Sequence, residues 1–121
     1  MTKNQNSKTY DLEDRTLAFA KKVRALVKKL PKTLSNIEDG KQLVRASGSV
    51  GANYIEANES LSKKDFIMRI KICRKEAKES RYWLRLLETN HKQEQEKTRK
   101  NLINEATELM KIFGAILQKS Q

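Results

Sequence analysis

The stretch Ser62–Asn90 reads SKKDFIMRIKICRKEAKESRYWLRLLETN, and its periodicity decides the fold. Phe66, Ile70, Cys73, Ala77, Ser80, Leu84 and Leu87 recur at spacings of 4, 3, 4, 3, 4 and 3 residues. At helical pitch this is one apolar seam about four heptads long. Ser62 and Asp65 form a capping pair for the first turn, so the helix is expected to start at Ser62 and to end near Asn90. At about 100° per residue, Lys71, Arg74, Lys75, Lys78, Arg81 and Arg85 gather on a second face. Met68, Ile72, Trp83 and Leu86 gather on a third. A helix in a four-helix bundle needs only one dry face. The second apolar stripe, which carries the only Trp in the chain, is therefore expected to be covered by another copy of the chain.

Three further segments repeat the pattern. Leu12, Thr16, Phe19, Val23, Leu26 and Leu30 give a first helix that Pro31 stops. Its Lys21, Lys22, Lys28 and Lys29 point away from the seam. Lys32–Gly40 reads as a loop that Leu34 and Ile37 pin to the bundle, and Lys41–Asn58 as the second helix. That helix gathers Ser47, Gly48 and Gly51, and each glycine costs helix stability of roughly 1 kcal/mol. Close approach of a neighbouring backbone is the expected gain, which would make it the most buried of the four. From Glu94 to Lys119 the last helix carries Leu102, Ala106, Leu109, Phe113 and Ile116, with Ile103, Met110 and Leu117 beside them. Short links between four amphipathic segments give an all-α, antiparallel up-down-up-down four-helix bundle. Residues 1–10 are polar and aperiodic and read as a flexible tail, leaving 11–121 for the bundle.

Composition narrows the function. The chain has 121 residues, one domain's worth, with one Pro and four Gly. No apolar run spans a bilayer, and MTKNQNSKTY lacks the apolar centre of a signal peptide, so a cytoplasmic protein without membrane association is expected. The net charge is +11, and residues 61–90 hold nine basic and four acidic groups. A cytosolic chain this basic attracts polyanions, so both sets of basic residues are candidate nucleic-acid contacts. The competing account is a protein scaffold whose cations keep it soluble or meet an acidic partner.

An enzyme would need a reacting group, and the inventory is thin. Cys73 lies on the main seam as a small apolar residue, and His91 stands in the loop after the third helix, too far away to pair with it. Glu88 and His91 have Glu-x-x-His spacing, but carboxylate-bridged metal bundles take that motif from two helices. No catalytic residue, metal or cofactor is expected. Gly48-Ser49-Val50-Gly51 lacks the Lys and hydroxyl of a phosphate loop. Arg45, Ser49, Asn53 and Glu56 line one side of the second helix and read best as a network fixing register between helices or subunits.

Arg45–Glu59, RASGSVGANYIEANE, and Leu61–Glu88, LSKKDFIMRIKICRKEAKESRYWLRLLE, together resemble the four-helix-bundle proteins called 23S rRNA-intervening-sequence proteins. Asn53, Ile55 and Glu56 stand in that family's Asn-Ile-Ala-Glu-Gly-like phrase, with Tyr54 inserted and Asn58 near the usual Gly. Ser62, Lys63, Lys64, Asp65 and Phe66 match its Ser-Lys-Lys-Glu-Phe-like phrase. The resemblance implies a cytoplasmic bundle that assembles as a ring, a homopentamer. It also implies kinship with the basic accessory protein that works with reverse transcriptase in diversity-generating retroelements, hence nucleic acid or a reverse transcriptase as a partner. It implies no catalytic residues.

Overall fold

The computed structural model describes residues 12–121, so the tail expected at 1–10 lies outside the described residues. The four helices are α1 Leu12–Lys29, α2 Leu34–Asn58, α3 Lys63–Leu86 and α4 Gln93–Ser120. Each packs on its chain neighbours, and α4 closes back on α1 through a thinner contact. Among the described residues the backbones of the diagonal pairs, α1 with α3 and α2 with α4, stay apart, and across the second diagonal the Tyr54 ring meets the Phe113 ring at 6.0 Å between centroids. This is the antiparallel bundle that the seams predict.

The seams themselves are the core. Phe19, Val23, Leu43, Val50, Ile70, Leu84, Leu109 and Phe113 are all fully buried, and each such side chain contributes roughly 1.5–3 kcal/mol relative to exposure. Hydroxyls on the seams bond within their own helices. Thr16 Oγ1 donates to Leu12 O at 2.9 Å and Ser80 Oγ to Glu76 O at 2.9 Å, so burying them leaves no orphan donor. On α4, Leu117 is buried and Ile116 half-buried, the reverse of the expected order. In α1 the acidic Glu13 and Asp14 open the helix and Lys28 and Lys29 close it, matching the helix dipole at both ends.

The second helix departs from expectation at its start. It begins at Leu34 rather than Lys41, because Thr33 is its N-cap and accepts from Asn36 N at 3.1 Å. Gly40, expected as the last residue of the loop, lies inside the helix, where a Cβ would stand 3.2 Å from Val27 Cγ1. Leu34 and Ile37 pin nothing, being 79% and 42% exposed. The pin is Asn36, which is buried. Its Nδ2 donates to Pro31 O at 3.0 Å and to Glu88 O at 2.9 Å, and its Oδ1 accepts from Glu88 N at 3.0 Å.

Close approach along α2 is real, and α1 is the helix that approaches. A Cβ on Gly51 would fall 2.8 Å from Thr16 Oγ1, so only glycine lets the two backbones meet there. The small residues buy one tight contact, not burial all round. Ile37 and Ile55 stay exposed on the outward side.

The third helix starts as predicted, with Ser62 Oγ accepting from Asp65 N at 3.0 Å. It ends at Leu86, four residues early. Leu87 is extended, the Glu88 peptide is bonded to Asn36, and Asn90 and His91 adopt left-handed backbone. Arg99 Nη1 reaches back to Leu84 O at 3.1 Å and Arg85 O at 3.4 Å, satisfying carbonyls that a helix end leaves unpaired.

Candidate nucleic-acid interface

The basic face of α3 depends on where that helix sends its acids. Glu76 is buried toward α2, and Glu79 is half-buried on the same side. Arg45 of α2 meets both, with Nη2 donating to Glu79 Oε1 at 3.4 Å and lying 3.6 Å from Glu76 Oε1. A little further along, Arg69 Nη1 donates to Asn53 Oδ1 at 2.9 Å while Asn53 Nδ2 donates to Ser49 O at 2.9 Å. Of the polar row on α2, Arg45 and Asn53 thus tie α2 to α3, while Ser49 takes part through its carbonyl and Glu56 is exposed. Arg45 draws Glu76 and Glu79 toward α2, leaving Asp65, in the first turn, as the α3 acid beside the lysines.

What remains outward is almost purely cationic. Lys71, Arg74, Lys75, Lys78 and Arg85 are exposed. Arg81 is half-buried, with Nη1 donating to Thr107 Oγ1 at 3.2 Å, so it faces α4 more than solvent. Among the described residues none of the six forms an ion pair. The face also continues past the predicted set. Lys63 and Lys64 share with Asp65, Met68 and Lys71 a broad surface hollow of about 960 Å³ at the start of α3, where the positive end of the helix dipole adds to the field. The sequence gives these two lysines a capping context, which masked their place on the face.

The second predicted set is equally exposed but elsewhere. Lys21, Lys22, Lys28 and Lys29 stand on α1, diagonally across the bundle from α3, so the two sets do not form one continuous face. Lys22 and Lys29 instead border a cleft of about 160 Å³ shared with Glu94, Gln95 and Thr98 of α4.

The predicted subunit stripe is divided. Met68 and Leu86 are 48% and 44% exposed, whereas Ile72 and Trp83 are half-buried, with Trp83 packed on the core. Trp83 Nε1 is buried with no hydrogen-bond partner among the described residues.

Two groups weighed for chemistry sit as follows. Cys73 is fully buried, its Sγ 3.4 Å from Val50 O, and burial pushes its thiol up to about 12, far from the range of a nucleophilic thiolate. His91 is exposed in the α3–α4 turn. Among the described residues no cluster of three or more His, Cys, Asp or Glu side chains forms, and no helix is long and apolar enough to cross a membrane.

The sequence profile of the 23S rRNA-intervening sequence proteins matches residues 8–115. The chain belongs to that family. A similar family structure is the crystal structure of a protein of unknown function from the S23 ribosomal protein family of Bacteroides thetaiotaomicron. It is 34% identical, with a TM-score of 0.74 over 87% of this chain and 96% of that one. No curated protein matches. The family match and the similar structure agree with the bundle, and neither assigns an activity.

Proposed function

We propose that this protein is a non-enzymatic, self-associating bundle that binds RNA or DNA through phosphate contacts on the outward face of α3. One observation carries the reading: beyond the first turn of α3, where Asp65 lies among lysines, its bases and acids are sorted to different sides. Glu76 and Glu79 turn to Arg45, while Lys71, Arg74, Lys75, Lys78 and Arg85 stay without ion pairs among the described residues. A solvated helix face serving solubility alone interleaves the two signs. Phosphate contacts need no base readout and release counterions, so affinity falls steeply as salt rises. Self-association, with the homopentamer as the form the family resemblance implies, would cover the exposed Met68 and Leu86 and repeat the cationic face around a ring.

The test is fluorescence anisotropy of a labelled nucleic acid across a salt series, with light scattering for mass. A linear fall of log affinity with log salt is expected, together with a mass of several chains. Flat affinity overturns the phosphate reading, and the mass of one chain overturns self-association.

A second reading has its own observation. Val27, Leu30, Pro31, Ile37 and Val44 line an apolar groove of about 490 Å³ between α1 and α2, edged by Lys32 and Lys41. A scaffold that docks a protein partner would use it. Purification that recovers one protein and no nucleic acid before nuclease treatment favours that account.

A further inference from the structure

The cationic face of α3 carries a large aromatic ring that phosphate binding does not use. Tyr82 is 56% exposed and falls on the outward side of the helix. Lys78 lies one turn before it and Arg85 one turn after, both exposed. The acid one turn before it, Glu79, is engaged by Arg45, so the surroundings of the ring are positive. The ring is also supported. Its centroid lies 5.1 Å from that of Trp83 with the planes at 73°, an edge-to-face contact of the favoured aromatic geometry. Trp83 in turn packs on the core. Tyr82 is therefore a ring braced on one side by a half-buried tryptophan, with more than half of its surface open to water.

We infer that the α3 face takes unpaired nucleotides, with the Tyr82 ring stacking on one base and Lys78 and Arg85 holding the phosphates on either side. This rests on the phosphate-binding reading and names its substrate class, single-stranded RNA or DNA. In a duplex every base already lies between its neighbours, so an exposed tyrosine gains nothing from it. In a single strand a base swings onto the ring, and stacking of this kind is sequence-tolerant because every base has a π face. Lys78 and Arg85 stand about 10 Å apart along the helix axis, and their long side chains flank the ring between them.

Anisotropy with three labelled probes tests this: an oligothymidylate about twelve nucleotides long, an abasic strand of the same length, and a duplex of that length. The wild-type protein binds the thymidylate strand more tightly than the abasic one. Tyr82→Ala weakens thymidylate binding about 5- to 100-fold, the range set by losing one base–aromatic stack, and leaves the duplex and abasic probes within about twofold. Tyr82→Phe retains the ring and binds as wild type. Light scattering gives both variants the wild-type mass.

Equal wild-type affinity for thymidylate and abasic strands overturns the stacking alone, as does a Tyr82→Ala variant that loses all probes equally or changes mass. In the last case the ring belongs to a subunit contact. A wild-type protein that ignores all three probes, or a Lys78→Glu/Arg85→Glu variant that binds them unchanged, places the failure in the phosphate-binding reading itself.

Discussion

Two glycines show how much a single atom decides in this bundle. Gly51 sits where α1 and α2 meet, and a Cβ there would overlap Thr16 Oγ1 at 2.8 Å and crowd Thr16 Cβ at 3.2 Å. Thr16 is β-branched, fully buried and bonded to Leu12 O and Glu13 O, so it has no free rotamer to retreat into. Gly114 lies within the C-terminal third of α4, and the nearest atom a Cβ would meet is Arg74 Nη1 at 3.9 Å, ordinary contact. Helix propensity favours alanine at both positions by about 1 kcal/mol, but overpacking costs about 1–3 kcal/mol at the first. Urea denaturation is expected to show Gly51→Ala destabilised and Gly114→Ala stabilised by up to about 1 kcal/mol. The same sign at both sites would mean that the α1–α2 contact yields more easily than its geometry implies. The small-residue run on α2 made the close contact legible in the sequence. Its partner was not, since Thr16 reads only as one more seam position. Asn36 was missed altogether, because in KTLSNIEDG it reads as a turn former, and its three bonds reach residues as distant as Glu88.

At the scale of elements, helix existence was written plainly and helix ends were not. Seams at 4 and 3 spacing register burial, which is strong and repeated. Ends are settled by single bonds to residues far along the chain. The end of α3 is such a case, held by Arg99 on the Leu84 and Arg85 carbonyls, while Glu96 holds Arg99 with two bonds, at 3.0 and 2.7 Å, and accepts from Thr89 Oγ1. The Arg99 bonds, with help from Thr89, bring the Glu96 carboxyl down to about 2. A carboxyl whose folded value is depressed stabilises the fold above its unfolded value, near 4.3, and loses that contribution as pH falls toward the folded one. The wild type is therefore expected to exceed Glu96→Gln in urea midpoint at neutral pH. The gap should narrow from about pH 4 and close near pH 2. Because Glu96 is partly solvated the gap is small, but its pH course is diagnostic. A gap that stays constant across this range would assign it to shape and not to charge.

For the whole molecule, the arrangement of charge matters more than its sum. The +11 of the sequence predicted a polyanion surface but could not say that its two lysine-rich sets stand on α1 and α3, which lie diagonally across the bundle. Helix diameters of about 10 Å put these faces on opposite sides of a bundle roughly 20 Å across, beyond the Debye length of about 8 Å at physiological salt. A strand bound on α3 therefore feels the α1 lysines weakly. Reversing Lys71, Lys75 and Lys78 to Glu is expected to remove about three phosphate contacts and flatten the log-affinity against log-salt slope by about 2 for a single strand. Reversing Lys21, Lys28 and Lys29 changes the same charge by the same amount, yet should leave the slope within experimental error and the affinity within about threefold, by screening. Light scattering on both variants keeps mass out of the comparison. Equal losses from the two sets would mean that one ligand touches both, either by wrapping around one bundle or on a surface built from α1 of one copy and α3 of the next.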